Sequence, residues 1–548
     1  MHPETKRQTN GCERGAPADG GGAMVVLDAL GIGLVALAVR MVFAAGIPIP
    51  PADDPAYYVT VARNLYEGRG FVSDVIWQYA IPFDSLMHPA GELWMPLPSW
   101  LMCLVFLAAG PSWRAAQAPG VLAGSGLAAL TYLVGRSILT GQSSARALAW
   151  ASGLLVAFNG LLAYQSASAD SSAPFALLAA LALWLVGGGP LGAAGEEAVR
   201  RASWMAVGIL LGLAYLSRSD VLFVVLGLAL ACWTAHRTAR HGGWRLWHLL
   251  LAGLVAGVVV APWLMRNVLT FGSPFPAPAA RLALLTKYDD LFSYANPLTL
   301  DHWWSQGLSV LLTVRLDALW HSWHGVLDFL FFPTALLPVV GLWLLRSRFG
   351  VVVVGWALVA TLLTTALVFP IVSRAGTFYH DVGAFAPWLG VGSVYAIKRG
   401  LGALAAARKW KQDFFWLTYG ALLLVTVLQL ALSLRAASIQ HMAEQRRLAE
   451  AASWLAAHPS AVVISTVPYN LDYLTRQPGL MLPLGEGPGA VKGLAARYGA
   501  RYVVVTGDYG LYPGVFRQSA GPCGEQQIGD VGWCLAYDGT EVQAFAIQ

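Results

Sequence analysis

Long apolar runs, separated by short polar turns, dominate most of the chain. A run of about 20 apolar residues folds as a helix long enough to cross a hydrocarbon core roughly 30 Å thick. Segment 96–110 is also apolar, but it is short and contains Pro96 and Pro98, so we expect it to be interfacial or re-entrant. Eleven crossings are predicted, at about 24–46, 117–136, 147–164, 171–189, 202–217, 219–236, 247–265, 328–345, 350–372, 379–397 and 413–434.

The distribution of Lys and Arg sets the predicted orientation. With eleven crossings and a cytoplasmic N-terminus, the inner segments carry 17 Lys and Arg in 76 residues, whereas the outer loops carry nine in a longer stretch of chain. Cytoplasmic loops are the ones enriched in these residues. Counting 96–110 as a crossing would invert everything after it and scatter this bias. We therefore predict that the C-terminus lies outside.

Under this topology the chain divides into three parts. Residues 1–23 are polar and Gly-rich, and we expect a disordered cytoplasmic tail. Residues 24–435 form the membrane domain, with long outer loops at 47–116 and 266–327. The tail 436–548 is less apolar and alternates strand-like with helix-like runs. The predicted fold class is therefore an all-α polytopic membrane protein with a small extracytoplasmic α/β domain at its C-terminus.

Composition supports the membrane assignment and narrows the function. Hydrophobic residues make up 57% of the chain and charged residues 12%, against roughly 25% charged residues in soluble domains. The net charge of +5 comes from cations beside the crossings, and no basic surface interleaved with aromatic residues suggests nucleic acid. Cys523 and Cys534 lie in the outer domain, where an oxidising compartment would permit a disulfide; two free or buried thiols are the alternative.

The first outer loop carries the most informative polar pattern. Residues 52–70 predict a helix with Asp54 at its N-cap, Pro55 at its first position and Gly68 at its C-terminal end. Its apolar face is formed by Tyr57, Val61 and Leu65. Asp54 has two interpretations: a helix cap only, or a carboxylate at the lipid–water boundary that accepts a proton from an acceptor hydroxyl or amine.

The same residues resemble a known family. Asp54 with Tyr58 four residues later, followed by 63–65 (Arg-Asn-Leu) and 68–70 (Gly-Arg-Gly), is similar to the first outer loop of the GT-C glycosyltransferases. The resemblance is greatest to the protein mannosyltransferase and aminoarabinose transferase group, which uses polyprenyl-phosphate sugars. It implies that Asp54 is the catalytic base. That group has a Glu after this Asp; here Pro55 follows and Asp53 precedes, so whether Asp53 takes over the second acid's work stays open.

A second segment of the loop also has a counterpart in the family. Residues 88–98 (His-Pro-Ala-Gly-Glu-Leu-Trp-Met-Pro-Leu-Pro) occupy the place of its Pro-rich segment before the second crossing. In some members an acid here helps to hold a metal or the donor, so the resemblance makes Glu92 and His88 candidates for a metal or substrate site. The alternative is a Pro-rich interfacial loop with incidental polar residues. A divalent metal requirement stays undecided.

Charged residues at the outer ends of several crossings form a third group. The predicted topology brings Asp170, Arg218, Arg266 and Arg374 near one membrane surface. Arginine suits a phosphate because its guanidinium can donate two hydrogen bonds at once. We expect these residues to bind the phosphate of the donor. Arginines at helix ends also snorkel to lipid headgroups, which is the alternative interpretation.

These features predict a membrane glycosyltransferase, a hexosyl- or pentosyltransferase, that moves a sugar from a polyprenyl-phosphate donor to a lipid, glycan or protein acceptor on the outer face. The resemblance implies a bacterial inner membrane and inversion at the anomeric carbon. A transporter or flippase would carry ionisable residues deep within its crossings, where Arg40 is the main candidate. A non-catalytic scaffold is the remaining alternative. The sugar and the acceptor are not specified by the sequence.

Overall fold

A computed structural model gives the fold of this chain. It describes residues 20–142, 144–187, 189, 197–237, 246–276, 281–294, 298–327, 334–459, 461–484, 486, 488–507, 521–522 and 533–547. The predicted tail at 1–23 therefore lies almost entirely outside the described residues. Most of the described chain is helical, and the strands are concentrated near the C-terminus.

Helices occupy the predicted crossings. Within the described ranges, five helices are long and apolar enough to cross a membrane, and a bent pair adds a sixth candidate. The remaining crossings coincide with shorter helices, so their number stays a prediction. The helices of the membrane domain are α1 (Gly20–Ala45), α4 (Trp113–Ile138), α5 (Ala145–Ala157), α6 (Gly160–Ala167), α7 (Ser172–Val186), α8 (Glu197–Ser217), α9 (Val221–Arg237), α10 (Leu246–Phe271), α13 (Leu337–Leu344), α14 (Phe349–Val368), α17 (Ala386–Arg408) and α18 (Phe415–Ala456).

Shorter helices fill the loops between them. Segment 96–110 forms a helix of 13 residues, which at 1.5 Å per residue is too short to cross the bilayer alone. The loop helices are α2 (Asp54–Tyr66), α3 (Leu97–Ala109), α11 (Leu300–Ser305), α12 (Gly307–Leu327), α15 (Pro370–Ala375) and α16 (Thr377–Asp381). Single 3-10 turns lie at Leu282–Leu284, Tyr288–Phe292, Thr334–Leu336 and Val382–Phe385.

Two predicted crossings coincide with helices that have other bounds. The crossing expected at 379–397 matches α17 only from Ala386 onward, because a 3-10 turn precedes this helix and Pro387 lies in its first turn. The crossing expected at 413–434 and the helix-like run after it form one helix, which continues without a break to Ala456. At 42 residues α18 is far longer than a bilayer requires, so the last membrane helix runs directly into the C-terminal domain.

Arg40 explains a break in the membrane domain. Helices α5 and α6 meet at an angle of 55°. The Arg40 side chain is fully buried, and its Nη1 donates to the carbonyl of Ala157, the last residue of α5, at 3.0 Å. Its Nε donates to Ser166 Oγ of α6 at 3.3 Å. The buried Arg40 thus donates a hydrogen bond to a carbonyl at the end of α5, where the carbonyls of the last turn have no partner within the helix.

The C-terminal domain is built on a seven-stranded sheet that includes a piece of the loop that follows α2. The strands of this sheet are β2 (Val75–Ile76), β4 (Val462–Ser465), β5 (Gly479–Met481), β6 (Ala500–Thr506), β7 (Gly521–Pro522), β8 (Trp533–Asp538) and β9 (Val542–Ile547). They run in the order β2-β5-β4-β6-β9-β8-β7. Strand β2 comes from the loop after α2 and pairs in parallel with β5. In the same loop, β1 (Val72–Ser73) and β3 (His88–Pro89) form a separate pair.

Both faces of this sheet are covered. Ile464 and Val503 pack with one apolar cluster, which includes helix α20 (Pro488–Tyr498). Val463 and Val504 point to the opposite face and pack with the outer part of α18 and with helix α19 (Pro468–Thr475). Alternate residues of a strand face opposite sides, so the apolar runs of β4 and β6 fit a sheet buried on both faces. Cys523 lies outside the described residues, and its pairing with Cys534 stays a prediction.

Candidate active site

The acidic pair begins helix α2 in an unexpected conformation. The cap residue is Asp53, and the helix starts at Asp54, one residue earlier than predicted. The side chain of Asp53 makes no capping hydrogen bond; its Oδ1 accepts a bond from Trp77 Nε1 at 3.1 Å. Asp53 also has a φ of 64° and a ψ of −117°, a strained backbone for a residue other than glycine. The interpretation of Asp54 as a helix cap is therefore wrong.

Helix α2 is buried along most of its length and not only on one face. Every residue from Pro55 to Asn64 is buried. Its first half packs against aromatic rings, because the Tyr57 ring lies 4.3 Å from that of Trp94, and Trp94 lies 4.7 Å from Trp77. Helices α3 and α19 both pack against α2, so the apolar face predicted from Tyr57, Val61 and Leu65 is only part of its buried surface. Gly68 ends the helix region with a φ of 78°, as predicted.

A cavity of about 170 Å³ opens beside the N-terminal end of α2. Asp54 and Tyr58 reach it from α2, and residues from four other parts of the chain complete its wall. No described residue donates a hydrogen bond to the Asp54 carboxylate, which is partly exposed in this cavity. The polar and aromatic residues that line the rest of the cavity include Trp77, Trp94, Arg218, Asp220, Tyr288 and His380.

Asp170 lies at the turn between α6 and α7, next to the cavity. Its carboxylate accepts hydrogen bonds from Ser171 N at 2.5 Å and from Ser172 Oγ at 2.8 Å. His380 Nδ1 lies 3.0 Å from Asp170 Oδ2. The preceding Ala169 has a φ of 57°, so a second strained residue adjoins an acid of the site. Asp170 is thus held firmly, in contrast to Asp54.

Arg218, at the turn between α8 and α9, is the cation of the cavity. Its Nη2 and Nε donate to Asp220 Oδ2 at 2.7 and 2.9 Å, and its Nη1 donates to Ser171 Oγ at 3.0 Å. Its Nε also lies 3.5 Å from Asp381 Oδ1. Asp220 and the other neighbouring carboxylates outweigh the effect of burial and hold the pKa of Arg218 above its ordinary value. The guanidinium is therefore charged and faces the cavity.

The surroundings of Asp54, Asp53 and Asp170 shift the pKa values of these three acids in different directions. Burial, and then the charge of Asp170, raise the pKa of Asp54 to about 7, although His380 and Arg218 oppose the rise. Burial raises the pKa of Asp53 to about 6, against the hydrogen bond from Trp77. Burial would also raise the pKa of Asp170, but His380 and Arg218 hold it well below the usual range. A carboxyl that titrates near neutral pH suits a general base.

The other predicted site residues lie elsewhere. Glu92 and His88 are buried, and neither lines the cavity. The His88 ring stacks on Phe83, and the buried Glu92 carboxylate has no hydrogen-bond partner among the described residues. Arg266 stacks on Trp263, with 4.8 Å from its guanidinium carbon to the ring centre. The sequence predicted that Arg266 and Arg218 lie in one site, but only Arg218 lines the cavity.

One predicted residue lies outside the described side chains, and three residues that contact the site were not predicted. Arg374 falls in α15, but its side chain lies outside the described part of the structure. Ser171, Ser172 and Asp381 were not singled out, although each contacts a residue of the site. Two of them follow Asp170 directly, and Asp381 follows His380, which lines the cavity. Their place beside other polar residues at a span end was the available signal.

A second, larger cavity of about 420 Å³ lies behind the 3-10 turn at Tyr288–Phe292. Tyr288 and Leu291 of this turn face the cavity of Asp54, whereas Lys287 and Asp289 line the second cavity. The turn therefore separates a small charged cavity from a wider polar one. The remaining polar residues that line it are Thr286, Asp290, Ser293, His302, Gln306 and Glu486.

A metal site was left undecided by the sequence. No group of three or more His, Cys, Asp or Glu that could hold a metal ion occurs in the ranges that the structure describes. Glu92 and His88 do not form such a group with a third ligand there. We therefore derive no chemical step through a metal ion.

Comparison with solved structures places the fold. ArnT from Cupriavidus metallidurans bound to undecaprenyl phosphate has a TM-score of 0.57 and 14% identity, covering 96% of this chain and 98% of that chain. The oligosaccharyltransferase AglB from Archaeoglobus fulgidus, in complex with an inhibitory peptide and a dolichol-phosphate, has a TM-score of 0.56 and 12% identity, covering 89% and 70%. The Archaeoglobus fulgidus oligosaccharyltransferase complex with Zn and sulfate has a TM-score of 0.58 and 13% identity, covering 87% and 68%. No family model and no curated protein matches the chain. The predicted resemblance is confirmed at the level of structure: the chain has the fold of the GT-C membrane glycosyltransferases.

Proposed function

We propose that this protein transfers a sugar from a polyprenyl-phosphate donor to an acceptor hydroxyl or amine on the outer face of a membrane. The observation that carries the proposal is the Asp54 carboxyl, which lies in a cavity and receives no hydrogen bond from any described residue. Burial and the charge of Asp170 raise its pKa to about 7, which suits a general base. Structural neighbours bound to undecaprenyl phosphate or a dolichol-phosphate support a lipid-linked donor. The fold alone would not assign the reaction.

In the proposed step, Asp54 takes the proton of the acceptor. The acceptor oxygen or nitrogen forms a bond to the anomeric carbon of the sugar, while the bond from that carbon to the phosphate oxygen breaks. The electron pair leaves with the phosphate, and a single displacement inverts the anomeric carbon. Holding the acceptor, the donor and Asp54 together in this geometry supplies much of the rate enhancement.

Arg218 is the proposed partner of the donor phosphate. It lines the same cavity as Asp54 and directly follows α8, at an end of that helix that the proposed topology puts at the outer membrane surface. Its guanidinium is already paired with Asp220, so the phosphate would share or replace that partner. Asp170 and His380 would hold the wall of the cavity, and the wider polar cavity behind Tyr288 is the proposed path of the acceptor.

The proposal includes a topology. The N-terminus would be cytoplasmic, and the cavity and the C-terminal domain would lie outside, as the distribution of Lys and Arg predicts. Arg40, the residue within a crossing that would favour a transporter, contacts a helix end and a serine, which gives its buried side chain a structural role.

The proposal is tested with purified protein in lipid nanodiscs. Lipids that copurify are extracted and identified by mass spectrometry, and undecaprenyl-phosphate-linked hexoses and pentoses are then supplied with membrane extracts as acceptors. We expect sugar transfer with release of undecaprenyl phosphate, and loss of that release in Asp54→Asn. If no donor of this class copurifies or is consumed, the proposed function is wrong.

A further inference from the structure

The C-terminal domain holds the second half of helix α2 through a buried ion pair. Arg63 Nη2 of α2 lies 3.4 Å from Asp472 Oδ2 of α19, and both side chains are almost fully buried. Arg63 Nη1 donates to the carbonyl of Tyr473 at 3.0 Å. The Arg63 Nε has no hydrogen-bond partner among the described residues. The guanidinium thus depends on one carboxylate and on backbone carbonyls, all of them from α19.

Further contacts join the same two helices. The Tyr469 ring of α19 meets the Tyr57 ring of α2 edge to face, with the centres 5.4 Å apart. Asn470 Nδ2 donates to the carbonyl of Pro50, just before α2, at 2.8 Å. The loop that follows α2 also contributes strand β2 to the sheet of the domain. Residues more than 400 positions apart in sequence therefore determine where α2 lies.

A displacement at Arg63 would be transmitted to Asp54. The two residues are nine positions apart on one helix, about 14 Å at 1.5 Å per residue. Tyr57 lies less than one turn from Asp54, and its ring packs on Trp94 in the cavity wall. Neither Arg218 nor Asp170 belongs to α2. A shift of the helix would therefore move Asp54 relative to the residues proposed to bind the donor.

We propose that α19 is a positioning element of the transfer reaction, in which Asp472 sets the position of Asp54 through Arg63. This inference rests on the function proposed above. A buried charge that loses its partner is strongly destabilised in place, so α2 would move to relieve it. A misplacement of about 1 Å at a reacting group can reduce a rate about a hundredfold. Asp472 is thus a positioning residue and not a catalytic one.

The chain offers a matched control in a second ion pair between the same helices. Arg476 Nη2 and Glu67 Oε1, at the C-terminal ends of α19 and α2, are 2.7 Å apart, but their side chains are 50% and 30% exposed. Exposed pairs contribute little, because solvent screens them. If Arg63 and Asp472 act by positioning α2, loss of the exposed pair should leave the reaction nearly unchanged.

The experiment compares Asp472→Asn with Glu67→Gln at pH 8. Burial raises the pKa of Asp472 to about 7 although Arg63 opposes the rise, so this pH keeps the wild-type carboxylate ionised. Turnover is measured as release of undecaprenyl phosphate from the undecaprenyl-phosphate sugar that the wild type consumes. We expect kcat to fall about tenfold or more in Asp472→Asn, with the KM for the donor within twofold. Glu67→Gln should behave as the wild type.

A double variant separates positioning from general damage. In Arg63→Gln/Asp472→Asn the two neutral amides can hydrogen-bond, so kcat should recover at least threefold over Asp472→Asn. Hydrogen exchange should show faster exchange along α2 in the single variant and slower exchange again in the double variant. Equal kcat in Asp472→Asn and Glu67→Gln would overturn the inference, and so would a double variant no better than the single one. A wild type that consumes no undecaprenyl-phosphate sugar would instead overturn the proposed function, and full transfer by Asp54→Asn would overturn the role of Asp54 as the base.

Discussion

The two ends of helix α2 differ in how their charges are satisfied. At the C-terminal end, Arg63 and Glu67 both have partners on α19. At the N-terminal end, Asp53 has a strained backbone, and Asp54 has no hydrogen-bond donor among the described residues. Stable proteins rarely leave a partly buried carboxylate without a donor, so an unsatisfied acid beside a strained residue indicates function. One end of the helix is thus tied to the C-terminal domain, and the other carries the proposed catalytic base.

The largest predicted effect on the transfer rate is at the N-terminal end of α2. Asn is isosteric with Asp but cannot take a proton at neutral pH. We expect Asp54→Asn to fold, to bind undecaprenyl phosphate as the wild type does, and to lose about 10²–10⁴-fold in transfer rate. Asp53→Asn keeps the acceptor of the Trp77 bond and is the matched control, with a loss of less than about tenfold. The measurement is single-turnover transfer with donor in excess; a larger loss in Asp53→Asn would assign the base to Asp53.

The next effect separates the two arginines that the sequence analysis grouped together. Arg218 faces the cavity, whereas Arg266 packs on aromatic rings outside it. A charge-assisted hydrogen bond to phosphate contributes about 1.5–3 kcal/mol, which corresponds to roughly 10–100-fold in affinity. We expect Arg218→Gln to weaken undecaprenyl phosphate binding by that factor and Arg266→Gln to change it less than threefold. Equal losses in both variants, measured in nanodiscs, would contradict this assignment.

The sequence predicted the N-terminal end of α2, with Asp54, better than the contacts of its C-terminal end. Asp54, Tyr58 and Arg218 could be found because each lies in a short local pattern beside a span end. The contact of Arg63 with Asp472 could not, since it joins residues far apart in sequence. Strand β2 has only two residues, too few to show the alternation by which strands are recognised. The burial of α2 on both faces follows from these long-range contacts and was therefore missed.

Glu92, a buried acid that does not line the cavity, provides a smaller test of the same contrast. Burial raises the pKa of Glu92, and His88 opposes the rise. Its ionisation therefore costs stability as pH rises above the unfolded value of about 4.3. We expect Glu92→Gln to raise the Tm at pH 8 by more than it does at pH 5, with undecaprenyl phosphate affinity unchanged. A lower donor affinity in Glu92→Gln would show that Glu92 belongs to the donor site. A lower Tm of this variant at pH 8 would show that a partner stabilises the Glu92 charge.

The central claim is that the Asp54 carboxyl takes the proton of the acceptor, and the pH dependence of single-turnover transfer tests it most directly. Because only the ionised carboxyl is a base, the wild-type rate should fall about tenfold per pH unit below about 7 and level off above it. Asp53→Asn should keep this profile, whereas Asp54→Asn should be slow and independent of pH. An Asp54→Asn variant with the wild-type rate and the wild-type pH profile would contradict the account.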